Sequence, residues 1–154
     1  MPEWKTEFEK IKIGTGRIIK EGTDLAILSF GPLGNFAKSA CDEMEKVGIS
    51  VGLYDMRFAK PLDELLLHDI CSRYNKIITL EDGCLQGGFG SAVLEFIADN
   101  GYSLAIKRLG IPDSIVEHGE PQELYRDCGV DILGITNSIK DMLNSGIMSP
   151  ALLF

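Results

Sequence analysis

Apolar positions along this chain alternate between short compact runs and long amphipathic stretches. Four runs, at 25–30, 49–54, 76–80 and 104–109, are rich in Ile, Leu and Val. Near-continuous apolar runs of this length predict strands covered on both faces, hence a parallel sheet. Between them lie helical stripes. Leu33, Phe36, Ala37, Ala40, Cys41, Met44 and Val47 recur at helix spacing, with Pro32 in the first turn and Gly48 just past the end. Leu62, Leu66 and Ile70 mark a second helix, led by Pro61 and Asp63. Phe89, Val93, Phe96 and Ile97 mark a third, stopped by Asn100 and Gly101. Ile132, Ile135, Ile139, Met142 and Leu143 mark a last helix, with Asp131 as its N-cap. The segment Arg17 to Lys20, followed by Gly22, Thr23 and Asp24, predicts a short strand hairpinned onto the first long one. Right-handed crossovers through this order predict an α/β fold. It is a three-layer α/β/α sandwich with a mostly parallel five-stranded sheet and one antiparallel edge strand. Residues 1–12 read as a linker or cloning remnant behind an introduced Met1-Pro2 start, 13–144 as one domain, and 145–154 as an apolar tail of unassigned role.

Composition narrows the function classes. At 154 residues the chain is large enough to bury a core without covalent staples. No run of about 18 apolar residues is present, which argues against a membrane-spanning helix. Fifteen basic against 23 acidic residues give a net charge of −8, unfavourable to nucleic acid and to anionic membrane surfaces. Cys41, Cys71, Cys84 and Cys128 form no C-x-x-C pair, so zinc and thioredoxin-like chemistry lack their usual spacing. Cys41 and Cys71 fall on apolar helix faces, and Cys84 alone sits where reactivity is worth checking. A reduced, cytoplasmic protein is the expectation.

Open parallel sheets bind ligands at the carboxyl ends of their strands. Here those tips carry Gly31 and Gly34, then Asp55, Arg57 and Lys60, then Glu81 and Asp82, then Gly110, Pro112 and Asp113. Arg57 and Glu81 can pair across the crevice, either as part of a site or as a tie between two loops; Asp63 is the other candidate partner for Arg57. Gly87, Gly88, Gly90 and Ser91 open a helix whose first N–H groups can hold a phosphate or carboxylate. The stretch has neither dinucleotide-fingerprint spacing nor the G-K-[ST] of a P-loop, and Glu81 and Asp82 just upstream would oppose an anion. The simpler reading is a tight loop whose glycines let helix and sheet approach. His68 falls in a helix and reads as a surface residue. His118 sits in a Gly- and Pro-bounded loop, with no visible base, nucleophile or metal partner.

Four separated phrases in order, EGTDLAILSFG, YDMRFAKPLDELLL, IITLEDG with GGFGSAVLEFI, and LGIPDSIVEHG, resemble the third, C-terminal domain of the 1-deoxy-D-xylulose 5-phosphate synthases of the transketolase family. The resemblance runs from Ile11 to about Leu143, with Gly14-Thr15-Gly16 matching the family's Gly-x-Gly opening. Transketolases and the β-type subunits of 2-oxoacid dehydrogenases are similar less closely. The resemblance implies a parent transferase that condenses pyruvate with glyceraldehyde 3-phosphate, using thiamine diphosphate and magnesium, toward isoprenoid precursors and thiamine. It also implies that the G-D-G motif, the downstream Asn, the activating Glu and the phosphate-binding arginines lie in the first two domains. Asp82-Gly83 lacks the leading Gly of that motif. No catalytic residue, metal ligand or bound cofactor is therefore expected in this chain. Its expected role is structural and dimer-supporting, with the parent's other domains as partners. Two alternatives stay open: a stand-alone subunit of a split synthase (or a fragment of a 2-oxoacid dehydrogenase β-type subunit), and an independent small-anion-binding regulator built on the Gly87–Ser91 helix start.

Overall fold

The computed structural model describes residues 10–144; the expected tail at 145–154 and the linker over residues 1–9 lie outside the described residues. Ten elements follow one another: β1 (Arg17–Lys20), β2 (Leu25–Phe30), α1 (Gly34–Glu45), β3 (Val51–Asp55), α2 (Glu64–Arg73), β4 (Lys76–Cys84), α3 (Phe89–Asp99), β5 (Ala105–Ile111), α4 (Pro121–Asp127) and α5 (Ile132–Asn144). They build the expected sandwich around one five-stranded sheet of order β1-β3-β2-β4-β5, parallel except for β1.

Alternation along the strands divides the core. Leu25, Ile27, Leu53, Ile78 and Leu80 face α1 and α5, packing with Ala37, Cys41, Met44, Ile135 and Ile139. Ala26, Leu28, Tyr54 and Ile77 face α2 and α3, packing with Leu67, Ile70, Val93 and Phe96. Both faces of β2 and β4 are thus covered, which explains their unbroken apolar runs. As expected, Asp131 caps α5, its Oδ1 accepting the Gly134 N–H at 2.8 Å.

Four expectations change. β1 does not hairpin onto β2; it pairs antiparallel with β3, Ile18 opposite Tyr54. The reason is that β3 and β4 take both edges of β2, leaving β3 as the free edge. The β1–β2 connection crosses the start of β3 instead, with the Thr23 and Asp24 N–H groups donating to the Ser50 carbonyl at 3.1 and 2.9 Å. Gly22 lies so close to the Val51–Gly52 backbone that no Cβ fits. The seven-residue helix α4 was not anticipated, and none of its residues is buried. Val47 does not extend the α1 stripe; it follows the helix end and is 65% exposed. β4 runs on to Cys84 with a register shift between Leu80 and Cys84 against β5. That irregularity carries the chain into the region where ligands of such sheets are met.

Candidate functional site

Glu81 ends the apolar run of β4, pairs in register with Phe30 of β2, and is only 2% exposed. Its carboxylate faces the start of α3, where Oε2 accepts the Phe89 N–H at 2.7 Å and Oε1 the Gly90 N–H at 2.8 Å. These two N–H groups are the ones a phosphate or external carboxylate would use. Glu81 therefore does not oppose an anion from a distance; it occupies the anion's place. The expected pair between Arg57 and Glu81 is not formed, because both carboxylate oxygens face the helix.

The glycines follow from that contact. Gly88 lies against the Glu81 carboxylate and the Cys84 carbonyl with no room for a Cβ. Gly87 adopts φ 71°, a left-handed turn that favours glycine. A Cβ on Gly90 would meet the Thr79 hydroxyl at 2.5 Å and the Arg108 side chain at 3.1 Å. Ser91 Oγ accepts from Gly87 N–H at 3.1 Å and from Arg108 at 2.9 Å, and donates to the Leu85 carbonyl at 3.0 Å. Arg108 also donates to that carbonyl at 2.6 Å. The Gly-rich loop is a closed unit of internal hydrogen bonds.

The remaining candidates scatter. Asp63 serves two amides, Oδ1 capping α2 at Leu66 N–H (3.0 Å) and Oδ2 accepting Gly16 N–H (2.8 Å), so it does not pair with Arg57 either. Asp82 is exposed and accepts the Tyr125 hydroxyl at 2.9 Å, which ties α4 to β4. That hydrogen bond raises the Tyr125 pKa. Arg57 stands at φ 57°, among the described residues the one non-glycine with positive φ; its N–H donates to Asp55 Oδ1 at 3.2 Å, and with the described residues its side chain forms no ion pair. Lys60 and His118 are exposed. His68 is not a free surface residue: its Nδ1 lies 2.7 Å from the Tyr102 hydroxyl and its ring packs edge-on against Phe96 at 4.9 Å. Cys84 is exposed, while Cys41 and Cys71 are buried thiols pushed up to about 11 by burial.

Thr79 and Arg108 were missed by sequence reasoning. They sit side by side in register on β4 and β5 beneath the start of α3. Strand alternation places them once the register is known, but no motif marks them. A second feature without a sequence signal is a cleft of about 260 Å³ lined by Arg17, Ser29, Gly31, Asn35, Lys38 and Asp55. There Arg17 Nε pairs with Asp55 at 3.0 Å. Among the described residues, no group of three or more His, Cys, Asp or Glu side chains could hold a metal ion, and no helix is long and apolar enough to cross a membrane.

The family model of the transketolase C-terminal domain matches residues 14–135. Over 148 residues the chain is 51% identical to a 1-deoxy-D-xylulose-5-phosphate synthase of Cytophaga hutchinsonii, covering 96% of this chain but 23% of that protein. It is 46% identical over 138 residues to the synthase of a Geobacillus species, covering 89% of this chain and 22% of that protein. The chain thus spans less than a quarter of the length of the curated relatives it matches. Among solved structures, it superposes on a split-gene transketolase with a TM-score of 0.81 and 27% identity, covering 88% of this chain and 44% of the other. A transketolase from Campylobacter jejuni, at 20% identity and a TM-score of 0.60, shares the fold.

Proposed function

Because this chain belongs to the transketolase C-terminal domain family, we propose that it is the C-terminal domain of a 1-deoxy-D-xylulose 5-phosphate synthase. The observation that carries this reading is 51% identity to such a synthase across 96% of the chain. The parent would condense pyruvate with glyceraldehyde 3-phosphate through thiamine diphosphate and magnesium, in the cytoplasm, as a dimer. Thiamine diphosphate would supply the carbanion equivalent that joins the two substrates.

The residues of this domain do not fit the cofactor. Diphosphate-bound magnesium needs oxygen ligands at octahedral spacing, and the described carboxylates form no such cluster. Glu81 and Asp63, which reach the strand tips, hold backbone amides instead. No catalytic step is assigned to this chain; its part is a rigid block against which the parent's other domains pack. The closed Gly87–Ser91 loop also speaks against the independent anion-binding regulator.

Two measurements test the reading. The full-length gene product should form 1-deoxy-D-xylulose 5-phosphate from pyruvate and glyceraldehyde 3-phosphate. This chain alone, titrated calorimetrically with thiamine diphosphate and magnesium, should give no binding heat; a micromolar dissociation constant would overturn the non-catalytic role. A second reading is favoured by the similarity to a split-gene transketolase, which is described as an inactive β4 tetramer. In it this chain is a subunit that completes a separately encoded partner, and synthase activity would appear only on mixing the two.

A further inference from the structure

The cleft beside the tips of β2 and β3 is built by three elements. Ser29 and Asp55 stand near the ends of those strands on the α1 side, with Leu53 below them and Arg17 and Ile19 of β1 alongside; Gly34, Asn35 and Lys38 of α1 close the other wall. Ser29 and Leu53 are 2% and 1% exposed, so the cleft reaches down to the core. Two glycines keep it open. A Cβ on Gly34 would meet Ser29 Oγ at 3.1 Å, while Gly31, at φ 88°, turns the chain beside open space. The carboxyl ends of parallel strands are where open α/β sheets meet their ligands.

The charges in the cleft do not cancel. Asp55 is already satisfied: Oδ2 accepts Arg17 Nε at 3.0 Å and Oδ1 accepts the Arg57 N–H at 3.2 Å. Arg17 uses only Nε in that pair, so its two terminal nitrogens donate to no described residue. Lys38 reaches Asp42 only at 3.4 Å, and Asp42 is shared with Lys20 at the same distance. The helix adds to them, because α1 starts with no side-chain cap and no acidic residue in its first turn. The result is a positive spot in a chain of net charge −8. Beneath it, Ser29 Oγ donates its proton to the Tyr54 carbonyl at 3.1 Å and lines the cleft as an acceptor.

We propose that this cleft is a binding site for a small hydroxylated acid. Its carboxylate or phosphate lies between the Arg17 guanidinium and the Lys38 ammonium, at the head of α1. Its hydroxyl donates to Ser29 Oγ, and its carbon atoms rest on Ile19 and Leu53. A bare anion would set its oxygens against the Ser29 lone pairs, and a cation would face Arg17 and Lys38, so the occupant needs both an acidic and a hydroxyl end. Size limits it further. At about 260 Å³ the cleft is smaller than the roughly 300–1,000 Å³ of pockets that take drug-sized ligands. The cleft belongs to this chain whichever enzyme carries it.

Calorimetric titration of the full-length gene product with inorganic phosphate, D-glycerate and glycerol 3-phosphate tests this. One of the two hydroxylated acids should bind at one site per chain, at least about tenfold more tightly than inorganic phosphate. Tighter glycerate assigns the carboxylate head, and tighter glycerol 3-phosphate the phosphate head. Arg17→Gln with Lys38→Gln should weaken that acid at least about tenfold. Their side chains are 56% and 63% exposed, so the double variant folds. Ser29→Ala should weaken the acid about threefold or more and leave inorganic phosphate unchanged. A site elsewhere in the gene product would bind the same probes without responding to Arg17 or Lys38. Equal affinity in the parent sequence and the double variant therefore overturns the proposal. So does the absence of binding by all three probes, and so does inorganic phosphate binding as tightly as both acids.

Discussion

At Glu81 two buried amides and one carboxylate complete each other. Removing the acceptor exposes the asymmetry of buried hydrogen bonds: the amides lose their charged partner with nothing in the protein to replace it. Glu81→Ala is expected to cost about 2–4 kcal/mol of unfolding free energy in urea titrations. The freed N–H pair at the head of α3 should then accept an anion, so sulfate should stabilise the variant more than the parent sequence. A variant within about 0.5 kcal/mol of the original would mean that the contact holds nothing. Thr79 presents the opposite case. Its hydroxyl is fully buried beneath Gly90 with no hydrogen-bond partner. Thr79→Val keeps the shape and removes the unsatisfied group, so it should leave stability unchanged or raise it by about 1 kcal/mol. A loss of comparable size would show that the hydroxyl has an acceptor after all.

Among the elements, α2 depends on one residue for two contacts. Asp63 caps its first turn and reaches back to the Gly16 N–H, fastening the segment before β1. Asp63→Ala should cost about 1–3 kcal/mol and release Gly16, visible as faster amide exchange there than in β2. If Gly16 stays protected, the cap and the tether are separate. The sequence placed Asp63 at the entry of this helix, but not as its cap, from the local pattern of Pro and Asp ahead of apolar positions. The four parallel strands and four of the helices were legible for the same reason. What was not legible depended on distant partners. The pairing of β1 with β3 was hidden because local turn residues suggest a neighbour in sequence, and nothing local says that both edges of β2 are taken. Helix α4 buries no residue and so has no apolar stripe to announce it. Glu81 looked like an exposed tip, since only the arrival of α3 buries it. Arg57 carried no sign of its positive φ, which sequence reasoning assigns to glycine or Asn by default.

The molecule as a whole is expected to weaken at alkaline pH through groups packed on both faces of the sheet. Cys41 on α1 and Cys71 on α2 face the core, at 1% and 8% exposure. Burial lifts both thiols from 9.0 to about 11. In the unfolded chain they ionise near pH 9, while in the folded protein they stay neutral until about pH 11. A folded pKa above the unfolded one means stability that is fully present below pH 9 and lost as the pH rises toward 11. Tyr54 acts in the same direction above its ordinary 10.0, raised first by burial and then by its hydrogen bond to Tyr74. A shift of this size corresponds to at most about 3 kcal/mol per thiol. Melting temperature should therefore be flat from pH 7 to 8.5 and fall steeply beyond pH 9. Cys41→Ala with Cys71→Ala should lower stability at pH 7 by about 1–2 kcal/mol through the lost sulfur packing, yet flatten the alkaline limb. The slope above pH 9, not the value at neutrality, is the readout. Growing self-repulsion of a chain already at −8 would steepen both curves alike, so equal slopes in parent and double variant would assign the weakness to net charge and not to the buried thiols.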